Sequence, residues 1–163
     1  MLAATVKGRA AEGLIDSYEI ERHPVAAAVL EWTRVQVTTL IPDLFGEVTA
    51  NLVKDLINTV DGSNYFISRI WGIANRYDLG SEHPLVGRSA PDFEFVDGLR
   101  LGRKMENGRG LIIEFGKTKD LSSLAEEWID QLDYITLSAK DMLGLRALIV
   151  RPDGVRCCLT NVW

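Results

Sequence analysis

The hydrophobic pattern of this 163-residue chain changes once, between Asn75 and Pro91. Before this stretch, apolar residues recur at spacings of three and four residues, which predicts helices. After it, short apolar runs are bounded by glycine and proline, which is typical of strands and turns. The stretch itself has no periodicity and predicts an extended linker. We therefore expect an α/β protein with a helical segment over residues 1–80 and a second domain over residues 84–163.

Proline marks the first expected helix boundary. A helix over residues 11–22 should end before His23-Pro24, because proline disfavours the α conformation in the residue that precedes it. Pro24 itself suits the first turn of a helix, so a second helix is predicted from Pro24 to about Leu40.

Two further helices are predicted in the first segment. The helix over residues 43–59 has the clearest amphipathic pattern in the chain. A short fourth helix is expected to begin at the turn formed by residues 61–63. Trp32 and Trp71 in this segment, and Trp128 beyond it, fall at helical core positions and are expected to pack inside, although Trp32 or Trp71 could line an interface.

The second domain has the order of strand, helix, strand and β-hairpin. The first two strands should be parallel and joined by a right-handed crossover. A βαβ unit followed by a hairpin is the skeleton of the thioredoxin-like fold, here without its last helix. The predicted elements are strands over residues 93–96, 111–115, 134–138, 147–150 and 155–160, a helical turn over 99–105 and a helix over 122–132.

Composition excludes several classes of function. The net charge of −5 argues against general binding of nucleic acid or anionic membranes. No apolar run approaches the length of a membrane span, and the N-terminus lacks the pattern of a signal peptide. The two cysteines, Cys157 and Cys158, form no disulfide framework, so we expect a reducing, cytoplasmic location.

Two glycine motifs resemble phosphate-binding loops only in part. Gly116-Lys117-Thr118 follows an apolar strand, but a P-loop needs a glycine five residues earlier, where Leu111 stands. Gly108-Arg109-Gly110 precedes a strand, whereas a dinucleotide motif follows one. We interpret Lys117 as a solvated loop residue and the second motif as a turn.

Redox and zinc sites are not expected either. A thioredoxin-like redox site would need cysteines in the loop after Phe115, and residues 117–122 contain none. Cys157 and Cys158 are adjacent in the last strand, so their side chains should point to opposite faces and not pair. His23 and His83 both precede proline and lie near no other metal ligand at suitable spacing.

The remaining polar groups predict no catalytic site. The chain has no G-x-S-x-G motif for a nucleophilic serine. Glu126, Glu127 and Asp130 are expected on the solvated face of a helix. The second domain also contains a small basic cluster, which comprises Arg100, Arg103, Lys104 and Arg109. This cluster could bind an anion, although the favoured interpretation is that its side chains are simply exposed to solvent. No catalytic, cofactor-binding or metal-binding residue is therefore assigned.

Several segments, taken in order, resemble one family of flavoenzymes. These are the FAD-dependent aromatic hydroxylases, the group A flavoprotein monooxygenases. The first segment is similar to the one that follows the second flavin-binding motif in that family. The others are similar to the thioredoxin-like C-terminal domain of its phenol- and polyketide-hydroxylating branch. The segments are residues 13–26 (GLIDSYEIERHPVA), 83–92 (HPLVGRSAPD), 97–98 (DG), 108–113 (GRGLII) and 151–154 (RPDG).

The resemblance implies a complete enzyme that uses FAD, NAD(P)H and O₂ to hydroxylate an aromatic or polyketide ring. In that family, a preceding region carries the G-x-G-x-x-G motif and the substrate sheet, and this chain contains neither. We therefore expect a C-terminal fragment or a stand-alone relative that neither binds FAD nor catalyses alone. The alternatives are a non-catalytic interaction module and a small-molecule-binding protein. The expected partner is a second copy, since apolar helices need cover, or a separate flavin domain.

Overall fold

The computed structural model describes residues 2–116 and 121–161. The chain divides into two compact units, residues 1–77 and residues 78–163. Across the described residues, no helix is both long enough and apolar enough to cross a membrane. The first unit contains α1 (Leu2–Val6), α2 (Leu14–Thr38), α3 (Leu44–Ile57) and α4 (Val60–Ile70). The second contains α5 (Leu101–Lys104), β1 (Gly110–Glu114), α6 (Ser122–Glu127), β2 (Leu132–Thr136), β3 (Leu145–Val150) and β4 (Arg156–Asn161).

The predicted helix break at His23-Pro24 is wrong, because α2 continues through Pro24. Proline has no amide hydrogen, so residue 24 cannot donate to the carbonyl of Ile20. The energetic cost is confined to this one hydrogen bond. Residues 26–28, which follow Val25, are alanines, and alanine has the highest helix propensity of all residue types. A helix of 25 residues therefore tolerates the missing hydrogen bond.

The next two helices begin at capped residues. The third helix is confirmed, and the Asp43 side chain accepts a hydrogen bond of 2.7 Å from the Gly46 amide at its N-terminus. The fourth helix begins earlier than predicted, at Val60. The Thr59 hydroxyl accepts from the Gly62 amide at 3.0 Å, so Asp61-Gly62-Ser63 lies inside the first helical turn rather than before it.

Gly46 is a helix position at which alanine should be less stable than glycine, contrary to the usual helix propensities. A Cβ atom added there would lie 2.0 Å from the Ile41 carbonyl oxygen. At an ordinary helix position, alanine in place of glycine stabilises by about 1 kcal/mol. Because of this clash, Gly46→Ala should instead destabilise the helical unit by about 1–3 kcal/mol. Thermal unfolding followed by far-ultraviolet circular dichroism measures it, with the exposed Asn51→Ala as control; a higher melting temperature for Gly46→Ala would contradict the expectation.

The four strands form one mixed sheet in the order β2-β1-β3-β4. β1 and β2 are parallel, and β3 pairs antiparallel with both β1 and β4. The predicted parallel pair and hairpin are thus confirmed. All five residues of β1 are buried, because strands flank it on both sides. Gly154, in the hairpin turn, has a φ of +81°, which favours glycine.

Three predicted elements of the second unit differ from the structure. Residues 93–96 do not form a strand of the sheet but make isolated bridges from Glu94 to Arg100 and from Phe95 to Ala139. The crossover helix ends at Glu127, well before residue 132, because Leu132 already begins β2. Residues 87–90, predicted as an extended linker, instead pair with the hairpin: the Gly87 and Ala90 amides donate to the carbonyls of Arg156 and Gly154.

The hydrophobic core lies in the second unit. Phe93 and Phe95 pack with residues of β1 and β3, and Phe95, Ile113 and Leu148 are fully buried. In the first unit, Gly46 is the one buried residue among those described. Trp32 is half-buried and contacts Tyr65 and Phe66, with ring centroids 6.0 and 5.1 Å away.

The prediction of core packing is wrong for two of the three tryptophans. Trp71 and Trp128 are exposed, at 78% and 44% of their surface. Both follow the last residue of a helix, α4 and α6 respectively. Their helical spacing was therefore a poor guide, because the apolar stripe of a short helix extends beyond the part of it that is covered.

Candidate functional site

A buried acidic residue lies at the carboxyl end of the central strand. Glu114 is 2% exposed, and the Tyr134 hydroxyl donates a hydrogen bond to its Oε2. The Thr136 hydroxyl donates in turn to the Tyr134 oxygen at 3.1 Å. Parallel register places Glu114 beside Thr136 on neighbouring strands. In open α/β sheets this edge is where ligands bind, so the three residues form the strongest candidate polar site.

The site formed by Glu114, Tyr134 and Thr136 was not predicted from the sequence. Its signal was the single acid inside the apolar run Leu111–Phe115, since a buried carboxylate requires hydrogen-bonding partners. The partners, on β2, are at least twenty residues away along the chain. Lys117 and Thr118, considered for phosphate binding, lie outside the described residues.

The predicted basic cluster does not converge on a common anion site. Each of its members pairs with a nearby carboxylate. Hydrogen bonding to Lys104 lowers the pKa of Asp97, and hydrogen bonding to Lys140 lowers the pKa of Glu94. The ion pairs are Arg100–Asp92 (3.4 Å), Arg103–Glu106 (2.6 Å), Lys104–Asp97 (2.7 Å) and Arg109–Asp133 (2.6 Å).

Arg109, directly before β1, contacts the end of the crossover connection and the first two residues of β2. Its Nε lies 2.6 Å from Asp133 Oδ1, and its Nη2 donates to the carbonyls of Ile129 and Leu132, the latter at 3.1 Å. The turn predicted for residues 108–110 lies earlier, at residues 105–108, with Gly108 at a φ of +72°, and Gly110 already begins β1. Arg109 therefore stabilises the crossover connection rather than a bound phosphate.

Removal of the Arg109 guanidinium should lower the free energy of unfolding. Arg109→Met leaves the Ile129 and Leu132 carbonyls and the Asp133 carboxylate without this donor. Because Arg109 is about one third exposed, we expect a loss of only about 1–2 kcal/mol in unfolding free energy. Urea unfolding measures it, with Arg103→Met as the matched control, since the Arg103–Glu106 pair is exposed. Equal losses in the two variants would show that Arg109 is an ordinary surface residue.

The two histidines lie in different units. His23 lies in α2 of the first unit, and in the second unit His83 Nδ1 accepts from the Leu85 amide at 3.2 Å. The described residues contain no group of three or more acids, cysteines or histidines that could hold a metal ion. Glu126, Glu127 and Asp130 are exposed, as predicted.

Both cysteines lie in β4, as predicted, and Cys157 is half-buried. The side chain of Cys158 lies outside the described part of the chain. The absence of a bond between them therefore stays a prediction, which a count of two free thiols in denaturant would support.

Each unit contains cavities. In the helical unit, one of about 240 Å³ lies beside Trp32 and Arg69, and one of about 660 Å³ adjoins the turn between α2 and α3. In the second unit, a cavity of about 420 Å³ lies between α6 and β2, lined partly by Arg109, Ala125 and Tyr134. Tyr134 thus lines this cavity and also donates a hydrogen bond to Glu114 of the candidate polar site.

Comparison with known proteins gives consistent results. Residues 83–157 match the family described as aromatic-ring hydroxylase, C-terminal. A monooxygenase of Claviceps purpurea (strain 20.1) is 43% identical over 159 residues, which are 94% of this chain and 31% of that protein. The 12-dehydrotetracycline 5-monooxygenase/anhydrotetracycline 6-monooxygenase of Streptomyces rimosus is 37% identical over 96% of this chain and 33% of its own length.

A solved structure shows the same relation. The OxyS anhydrotetracycline hydroxylase from Streptomyces rimosus superimposes with a TM-score of 0.89 and 35% identity. The match covers 98% of this chain and 34% of that one. The chain therefore spans about a third of the length of the relatives it matches.

Proposed function

We propose that this chain is the C-terminal portion or a stand-alone relative of an FAD-dependent aromatic-ring monooxygenase. The proposal starts from residues 83–157, which match the family described as aromatic-ring hydroxylase, C-terminal. The observation that carries the proposal is coverage: nearly the whole chain matches, but only about a third of each relative. The tetracycline monooxygenases among these relatives favour a polyketide ring as the substrate class, and a phenol-type ring is the other class that the sequence resemblance implies. In the complete enzyme, FAD, reduced by NAD(P)H, would supply the chemistry with O₂.

The residues of this chain do not fit FAD. Flavin enzymes of this kind hold the cofactor diphosphate with a G-x-G-x-x-G loop between a strand and a helix, and the sequence contains no such motif. The basic cluster of the second unit is neutralised by its own carboxylates. No step of flavin chemistry is therefore assigned to these residues, and the role proposed for the chain is structural support of a flavin-binding region.

The test is cofactor binding by the purified chain. After incubation with FAD and extensive dialysis, the protein should be colourless, and it should not accelerate oxidation of NADPH or NADH. The reason is the missing diphosphate-binding loop. Free FAD at the dialysis concentration provides the blank, and lysozyme provides a protein control. Flavin absorbance that remains at about one equivalent per chain would refute the proposal.

A second candidate function is a non-catalytic dimerisation or interaction module. The observation that favours it is the uncovered apolar surface of the helical unit, where Leu44, Phe45 and Leu52 are 72%, 81% and 60% exposed. Soluble monomers rarely expose apolar patches of this extent. A two-fold dimer of this chain is the commonest kind of arrangement that would cover them.

The thioredoxin-like description of the second unit is also a proposal. It is supported by the strand order β2-β1-β3-β4, with a parallel pair and an antiparallel hairpin. A cytoplasmic location is supported by the chain's having only two, adjacent, cysteines. Binding of a small molecule is the least supported alternative, because its only support is that two cavities have volumes within the usual range of ligand pockets.

A further inference from the structure

Arg156 is a buried basic residue whose backbone is held on both sides. It begins β4 and is only 5% exposed. Its amide donates to the Arg88 carbonyl at 2.9 Å, and its own carbonyl accepts from the Gly87 amide at 2.9 Å. Residues 87–90 therefore pair with the start of β4 and the hairpin turn before it, which brings Arg88 and Arg156 together.

Neither arginine has an acidic partner among residues 2–116 and 121–161. The Arg156 Nε donates a long hydrogen bond of 3.5 Å to the Arg88 carbonyl, and the Arg88 Nε donates to the Pro84 carbonyl at 3.1 Å. The nearby Asp153 is paired with Arg151 at 2.9 Å. This differs from the basic cluster of the same unit, in which every member has a carboxylate within 4.0 Å.

Such an arrangement is unfavourable without an anion. Burial, and then the positive charge of Arg88, lower the pKa of Arg156, because both disfavour the charged form. Arginine nevertheless stays protonated in proteins, so a carboxylate beside Arg156 would offset this cost. An isolated buried charge is costly, and a second like charge beside it adds to that cost.

We infer that Arg88 and Arg156 form a binding site for a carboxylate. The planar guanidinium offers paired N–H donors that match the two oxygens of a carboxylate, and such charge-assisted hydrogen bonds are among the strongest in proteins. The carboxylate can come from a free anion or from an aspartate or glutamate side chain of another protein segment. The inference does not depend on flavin binding or on the proposed function.

Titration of the 163-residue chain with sodium acetate tests the site. The chain is labelled with ¹⁵N-arginine, and the arginine Nε–Hε signals are followed by NMR while sodium chloride keeps the ionic strength constant. The Arg156 signal, assigned with Arg156→Lys, should shift and saturate. At ten times the dissociation constant, acetate should raise the melting temperature by about 5 °C. Arg103→Met should keep both effects, whereas Arg156→Met should lose them.

The outcomes separate the two sources and can overturn the inference. Saturable binding of acetate supports a free carboxylate as the ligand. An Arg156 signal that instead shifts with protein concentration supports a carboxylate side chain from a second copy. The inference is wrong if acetate shifts the Nε–Hε signal of Arg156 no more than that of Arg103, if the shift does not saturate, and if the signal does not depend on protein concentration. If phosphate saturates the site and acetate does not, the carboxylate assignment is wrong. The wild-type titration decides even if Arg156→Met does not fold.

Discussion

Light scattering of the purified chain at tens of micromolar is expected to give twice the mass of one 18.1 kDa chain. Leu52→Asp should reduce this to the monomer or make the protein insoluble. Leu52 is 60% exposed on α3, within the amphipathic stripe that also contains Phe45 and Leu56. A carboxylate there would have to be desolvated in the interface, which is strongly unfavourable unless it is paired.

The control for this variant is Asn51→Asp on the same helix. It introduces the same carboxylate at an exposed polar position next to Leu52, so a general effect of negative charge on α3 would affect both variants. The dimer should persist in Asn51→Asp. A mass near 18 kDa for well-folded wild-type protein would contradict the proposed dimer. It would favour the interpretation that the apolar surface of α3 packs against another polypeptide region.

The second large effect is expected in the sheet. Leu148 is fully buried at the centre of β3, with Ile113 of β1 and residue 159 of β4 opposite it in register. Leu148→Ala removes three heavy atoms and leaves a cavity, so the unfolding free energy should fall by about 2–5 kcal/mol. Urea unfolding of the chain measures this loss.

Leu99→Ala is the matched control for the cavity. It makes the same chemical change in the same unit, but Leu99 is 49% exposed, so the loss should be below about 1 kcal/mol. Similar losses for the two variants would mean that β3 does not lie at the centre of a close-packed core.

Local pattern accounts for what could be predicted of the fold. The apolar run of residues 111–115 predicted a buried strand because such runs occur where both faces of a sheet are covered. Residues 151–154 predicted the hairpin because proline and glycine suit a turn. Residues 43–59 predicted a helix through spacing, and the Asp43 cap explains its start.

What could not be predicted depends on contacts between distant residues. Glu114 meets Tyr134 across a parallel crossover, and Arg156 meets Arg88, 68 residues earlier, through a segment that resembled a linker. Periodicity also cannot show which apolar face is covered, as Trp71 illustrates. The continuation of α2 through Pro24 was missed because a conformational preference of the preceding residue can be outweighed by a long helix.

The central proposal is that these residues serve as the C-terminal part of a monooxygenase polypeptide. The most direct measurement is the mass of the native protein in its source cells, detected with an antibody raised against residues 83–157. Since the chain spans about a third of its relatives, the account predicts a single band at about three times 18.1 kDa. A band at the mass of the 163-residue chain itself would contradict this proposal and would favour the stand-alone relative.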